Sequence, residues 1–302
     1  MITGARSDPL WHAVRRIPTA DKIVRNRLLN ALGCQVARVL AAEALVRSRR
    51  LRIRGDMTEV EATLIRDGTA VIEGFLDEHV FDTLVDEADR GERQFFTKGS
   101  DPDKFGIVRQ KIGLRKYQEL FPVAVKAILG SERILRLARV AEGWSDRDDF
   151  TNQPTALTYE RLEQAADPFE TRSARDAEVS TGDLHADTFH YVTKAFLTLN
   201  DVTLSNGPYT YAIGSHRITF SRLVWEYRNS LRPEQYETGQ YHNRVWADER
   251  RRLAIEAHPL QVRKNTLIVT NTFGFHLRGS MTTIGAVRRM FRLDFRSNPF
   301  RR

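Results

Sequence analysis

Apolar residues recur at helical intervals from Ile23 to Leu51, at Ile23, Val24, Leu28, Leu32, Val36, Val39, Leu40 and Leu45, with arginines in the gaps. Positions three and four apart share one helix face, so the spacing predicts an amphipathic helix. Beyond Gly55, "DMTEVEATLIRDGTAVIEGFLDEHVFDTLVDEADRG" reads as helix, short strand and helix, with Asp67-Gly68 at the first break. Residues 99–122 are polar and turn-rich, which predicts a loop, and "PVAVKAILGSERILRLARVAEG" reads as helical. The period then shortens. "TALTYERLEQ", "YVTKAFLTLNDV", "NGPYTYAIGSH", "HPLQVRKNTLIVTNTFGFH" and "AVRRMFRLDFR" all read as strands bounded by turns, while 218–252 is polar and helical or irregular.

Several short strands without a strand-helix alternation argue against a doubly wound parallel sheet. Neither a G-x-G-x-x-G motif nor a Walker lysine motif occurs. The expected fold is mainly β with added α-helices, a double-sheet sandwich or jelly roll. No Pro/Gly/Ser linker divides the later chain. The expected organisation is a basic N-terminal helical extension over 1–55 and one domain over 56–302.

Composition narrows the class. At 41% hydrophobic and 28% charged, the 302 residues suit a soluble globular protein. The opening "MITGARSDPLWHAVRRIP" is too polar for a secretory signal core. A single cysteine, Cys34, excludes an internal disulfide framework and a cysteine-based zinc site. A cytoplasmic location is therefore expected. The formal charge of +8 is concentrated in the N-terminal basic stretch. That helix could rest on an anionic membrane face or a partner, or pack on the body with its arginines in water. Nucleic acid is not expected, because the stretch lacks aromatic interleaving and no zinc-finger or RNA-binding signature is present.

The candidate chemistry lies in "DLHADTFHYVTKAFLTLN". Residues two apart on a strand face the same way, so His185 and Asp187 can direct an imidazole and a carboxylate at one point. A catalytic metal needs a third ligand, and His276, after "NTLIVTNTFGF", is the best placed. Two imidazoles and a carboxylate form the facial triad of non-heme Fe(II) oxygenases. The same donors also bind zinc and activate water, and a turn aspartate beside a satisfied histidine would give the same spacing.

The accumulation of motifs around this pair resembles the phytanoyl-CoA dioxygenase-like family of Fe(II)/2-oxoglutarate-dependent oxygenases, over roughly 60–295. The resemblance rests on "LIRDGTAVIEGFLDEHVFDTL", "LHADTFH", "FLTLNDVTLSNGPYTYAIGSH" and on His276 followed by a basic strand, in that order. It implies a double-stranded β-helix (jelly roll, cupin-like) core, with iron held by His185, Asp187 and His276. It also implies 2-oxoglutarate and O2 as cosubstrates, and an arginine after the distal histidine for the 2-oxoglutarate C5 carboxylate. Arg288 and Arg289 are the candidates for that arginine. They lie on opposite strand faces: Arg288 with Met290, Arg292 and Asp294, and Arg289 with Phe291, Leu293 and Phe295. Arg288 is preferred. The segment between histidine and arginine, "LRGSMTTIGAV", departs from the family's small-polar pattern.

Lys194 could bridge a cosubstrate carboxylate or stand in solvent. Tyr209 and Tyr211 could lie near the cosubstrate or pack in the sheet. His190 and His216 read as structural, and Asn206, Gly207 and Pro208 as turn formers. The resemblance implies hydroxylation of an unactivated C–H bond in a small organic or specialised-metabolite substrate. Related halogenases carry a small residue where Asp187 stands. "RSARDAEVSTGD" and the polar segment after His216 are the expected substrate rim. Arg161, Arg172, Arg175 and Arg217 suit an anionic substrate or ordinary surface charge. Two other classes remain: a metal-dependent hydrolase or isomerase on a cupin-like fold, and a catalytically inactive binding protein recruited through the N-terminal helix.

Overall fold

Turn chemistry divides the basic N-terminal stretch into two helices, α1 (Arg27–Ala31) and α2 (Cys34–Arg50). The Asn26 side chain caps the first helix, and Gly33 turns the chain between them at φ 86°. Glycine takes that left-handed conformation without a Cβ clash, so one run of helical spacing becomes two helices. The computed structural model describes residues 14–15, 17–18, 22–53, 57–97, 99–103, 105–144, 156–166, 184–237, 243–295 and 297–300. Among them, no helix is long and apolar enough to cross a membrane.

Next come α3 (Glu59–Asp67), β1 (Thr69–Ile72), α4 (Glu78–Phe95), β2 (Ile107–Gly113), α5 (Glu132–Glu142) and β3 (Ala156–Gln164). A capping box between Thr58 and Glu61 starts α3, and Gly68 at φ 83° ends it. The strand-rich half holds β4 (His185–Ala186), β5 (Thr193–Thr198), β6 (Tyr209–Tyr211), α6 (Phe220–Ser230), β7 (Asn243–Arg244), β8 (His258–Pro259), β9 (Leu267–Asn271), β10 (His276–Arg278) and β11 (Val287–Asp294). Residues 99–122, expected as a loop, contain β2, which pairs with β3 along its full length. Its charged residues hide the strand from the sequence pattern: Arg109 reaches Glu160 of β3, while Ile107 and Ile112 are buried.

The strands form two antiparallel sheets, one ordered β1-β9-β5-β11-β3-β2 and the other β7-β4-β10-β6-β8. The fold is thus mainly β with helices added. Helices α3, α4 and α5 cover one face of the six-stranded sheet. Leu64, Phe81, Leu84, Leu137 and Ala141 pack there with Tyr159, Leu197, Phe291, Leu293 and Phe295. Fully burying one such large side chain stabilises the fold by roughly 1.5–3 kcal/mol. The opposite face of this sheet looks towards the five-stranded sheet, and a cavity lies between them.

The basic helix α2 packs Val39, Ala42 and Val46 against Phe189, Tyr191 and Phe273. Not all of its arginines stand in water. Arg38 is buried, with its guanidinium 3.6 Å from the Phe189 ring centre, and Arg50 lies 4.9 Å from that of Tyr191. Burial lowers the Arg50 pKa. Gln35 on the same helix donates to Glu226 of α6 at 3.2 Å. Helix α2 is thereby fastened to the segment that follows Asp187.

Candidate metal centre

Strand register brings the predicted ligands together. His185 on β4 pairs directly with His276 on β10. The Asp187 backbone N–H donates to the Thr272 carbonyl at 2.9 Å, which fixes the carboxylate-bearing residue just beyond the strand. Among the described residues, His185, Asp187 and His276 are the one group of three that could hold a metal ion, with ligand atoms all within 4.8 Å of one another. His185 Nε2 lies 3.8 Å from Asp187 Oδ1, and His276 Nε2 lies 3.6 Å from Asp187 Oδ2.

The donor chemistry fits a divalent transition metal. The His276 Nδ1 is 3.0 Å from the Gly274 carbonyl, a contact that assigns the proton to Nδ1 and leaves the Nε2 lone pair facing Asp187. Burial, more than the neighbouring His185 and Lys194, pushes the His276 pKa down to about 4 and keeps its imidazole neutral. Burial alone would raise the Asp187 pKa, but His276, Lys194 and His185 outweigh it and hold the carboxyl well below its ordinary range. A neutral imidazole facing an ionised carboxylate is the form in which these groups bind metal.

Lys194 on β5 places Nζ 2.6 Å from Asp187 Oδ2 and 3.9 Å from Asp294 Oδ1. Both His185 and His276 border a cavity of about 390 Å³ whose wall also carries Lys194, Phe196, Tyr209, Met290 and Arg288. Tyr209 packs its ring 5.6 Å from that of His276, and its hydroxyl meets Thr270 Oγ1 at 3.1 Å. The Tyr211 hydroxyl instead donates to the Asn271 carbonyl at 3.0 Å, beneath the loop that leads into His276. A Cβ on Gly274 would lie 1.9 Å from that hydroxyl, so this approach requires glycine.

The two candidate arginines separate. Arg288 is 6% exposed, lines the cavity and donates from Nη1 to the Gly207 carbonyl. Its pKa is pushed down to about 10, first by burial and then by Arg278 and Arg109, against the pull of Glu160. Arg289 projects from the other face of β11. Its Nε donates to Glu92 and to the Tyr159 hydroxyl, each at 2.8 Å, and its Nη2 donates to Asp89. Its carboxylate partners Asp89 and Glu92 belong to α4, on the face of β11 away from the cavity.

Other residues fall outside the donor set. His216 Nε2 donates to the Ile65 carbonyl at 2.9 Å, and His190 Nδ1 lies 3.0 Å from the Tyr191 carbonyl. Arg161 pairs with Glu163 at 2.6 Å, and Arg217 donates to the Gly214 carbonyl at 3.3 Å. The expected rim "RSARDAEVSTGD", with Arg172 and Arg175, lies outside the described residues. The cavity wall also contains Arg109, Glu160, Arg278 and Arg292, which the motifs do not single out. For Arg278 a signal existed: it stands two residues beyond His276 on one strand, and so shares its face.

No family model matches the chain, and no curated protein matches it. Solved structures do. AviO1 from Streptomyces viridochromogenes Tue57 is similar with a TM-score of 0.52 and 17% identity, over 80% of this chain and 95% of that one. The epimerase SnoN, in complex with Fe3+, alpha ketoglutarate and nogalamycin RO, is similar with a TM-score of 0.52 and 16% identity. That match covers 78% of this chain and 81% of SnoN. At these identities the likeness shows the fold.

Proposed function

We propose that this chain is a non-heme Fe(II)/2-oxoglutarate-dependent oxygenase that hydroxylates an unactivated C–H bond of a small, specialised-metabolite substrate. The observation that carries this reading is the convergence of His185, Asp187 and His276 beside a cavity that both histidines line and whose wall also holds a buried arginine. The paired antiparallel sheets support a double-stranded β-helix core. SnoN, with the same fold, was solved with Fe3+ and alpha ketoglutarate, which supports the choice of cofactor and cosubstrate.

In this reading His185, Asp187 and His276 would hold the iron beside the cavity. Bound iron, with 2-oxoglutarate and O2, supplies the oxidising power for C–H hydroxylation. The chain's residues bind, orient and exclude water. Arg288 offers a buried fork of donors to the distal carboxylate of 2-oxoglutarate. Lys194 neutralises the carboxylate cluster of Asp187 and Asp294 and holds Asp187 in place beside the histidines. Phe196, Met290 and Tyr209 keep the intervening wall apolar and poor in water. Asp187 keeps a carboxylate where the related halogenases have a small residue, which supports hydroxylation. Residues 56–302 form the oxygenase domain in this reading, with 1–55 as its basic extension.

Fe(II)-dependent conversion of 2-oxoglutarate to succinate, scored against a metabolite panel, tests this function. Turnover that needs both Fe(II) and 2-oxoglutarate and vanishes in His276→Ala is the expected result. Zinc-dependent hydrolysis or isomerisation without 2-oxoglutarate consumption would replace this reading with the metal-dependent hydrolase or isomerase.

A further inference from the structure

The cavity carries more positive charge than the wall neutralises. Arg109 pairs with Glu160, Arg292 with Asp294 at 2.8 Å, and Lys194 with Asp187 at 2.6 Å. Asp103 also lines the cavity, and it and Glu160 act on Arg278 from beyond ion-pair distance. Among the described residues Arg278 and Arg288 have no carboxylate within ion-pair distance, and the Nε of each is buried without a hydrogen-bond partner. A buried guanidinium with an unmet donor is costly, so such a group calls for an anion that arrives after folding.

One turn frames both arginines. Asn206, Gly207 and Pro208 run between β5 and β6. The Gly207 carbonyl accepts from Arg288, and the Pro208 carbonyl accepts from the Gly279 N–H at 2.7 Å, one residue beyond Arg278. Asn206 Nδ2 donates to the Val287 carbonyl at 3.1 Å, one residue before Arg288. Gly207 sits at φ 77°, and a Cβ there would meet Met281 Cγ at 2.9 Å, so the turn is shaped for glycine. Arg278 pairs in register with Tyr209, directly after the turn. The two guanidinium-bearing strands are therefore held by the same three residues. The lowering of the Arg288 pKa by Arg278 agrees with their proximity.

We propose that Arg278 and Arg288 together grip the distal carboxylate of the oxo-acid cosubstrate, with the Asn206–Gly207–Pro208 turn setting their positions. This rests on the oxygenase reading above. Arg278 is then a second anchor, supplied by the "LRG" that departs from the small-polar pattern after His276. Two forks satisfy both lone-pair edges of one carboxylate, whereas one fork satisfies one edge. The pair also makes the pocket selective for a 2-oxo acid that ends in a second carboxylate.

Equilibrium dialysis under nitrogen on Fe(II)-loaded protein tests this without turnover. The two probes are 2-oxoglutarate and 2-oxopentanoate, which keeps the oxo-acid end and lacks the distal carboxylate. Arg278→Gln is expected to weaken 2-oxoglutarate binding by about 10-fold or more, the scale of a lost charged hydrogen bond, and to leave 2-oxopentanoate binding unchanged. Arg278→Lys, which keeps the charge and most of the volume, is expected to fall between wild type and Arg278→Gln. It also serves if the glutamine variant does not fold. If Arg288→Gln selectively loses 2-oxoglutarate while both Arg278 variants bind it like wild type, the oxygenase reading stands and the second anchor is overturned. Equal weakening of both acids in the Arg278 variants also overturns it, as a merely structural effect. Failure of the wild-type protein to bind either acid overturns the oxygenase reading and the anchor together.

Discussion

The two faces of β11 carry adjacent arginines in opposite settings. On the helix-covered face, Arg289 is surrounded by Asp89, Glu92 and the Tyr159 hydroxyl, and the same face continues into Phe291 and Leu293 within the main core. On the cavity face, Arg288 is more deeply buried, yet its contact is a backbone carbonyl and its Nε stays unmet. The difference separates a cation whose donors are met by carboxylates of the fold from one whose buried Nε is left without a partner. A protein tolerates an unsatisfied buried donor where binding repays its desolvation. The cavity face has kept that debt, and the helix face has discharged it.

Three changes would break or sharpen this contrast. The largest effect belongs to Phe291→Ala, which opens a hole in the helix-covered core where Phe291 is 1% exposed against Tyr159. It should cost about 3–5 kcal/mol in urea unfolding while the surviving folded fraction still binds 2-oxoglutarate. Arg288→Gln should do the reverse, weakening 2-oxoglutarate by about 10–100-fold in equilibrium dialysis with little loss of thermal stability. Arg289→Gln should leave that affinity intact and cost about 1–2 kcal/mol of stability. Equal effects of the two arginine variants on affinity would erase the contrast.

The smallest effect concerns protons. Burial pushes the Glu142 carboxyl up to about 7, where its hydrogen bonds from Ser297 and Thr193 only partly offset the cost. The folded state then binds the extra proton, so this group adds stability as pH falls from about 7 towards 4.5. His276 and His216 act oppositely. Burial lowers both to about 4, so the unfolded chain protonates first and stability is lost as pH falls from 6.5 towards 4. Glu142→Gln should remove the compensating gain and steepen the acid loss, read as urea midpoints at neutral and mildly acidic pH. An unchanged slope would show that Glu142 is not protonated in the fold.

Much of the site was legible because its signals are local. His185 and Asp187 stand two apart, and the parity of β11 put Arg288 and Arg289 on opposite faces without saying which face meets the cavity. The apolar partners Phe291 and Leu293 mark the helix-covered face, and the polar partners Arg292 and Asp294 mark the cavity. The pairing of His276 with His185 depends on register between strands distant in sequence, so the chain alone supplied only an ordered guess. Strand β2 escaped notice because its charged residues find partners across the sheet, as Arg109 does in Glu160. Lys194 looked equally suited to solvent, and its place beside Asp187 emerges only when β5 is aligned with the ligand loop. The ring contacts of Arg38 and Arg50 on α2 were illegible for the same reason: Phe189 and Tyr191 lie far along the chain.

The central claim is that His185, Asp187 and His276 bind iron in a pocket that accepts 2-oxoglutarate. Anaerobic titration of Fe(II)-loaded protein with 2-oxoglutarate tests it most directly. A weak visible charge-transfer band should develop in the wild type, persist in Arg289→Gln and be absent in Asp187→Ala. No band in intact, iron-loaded wild-type protein would contradict the account.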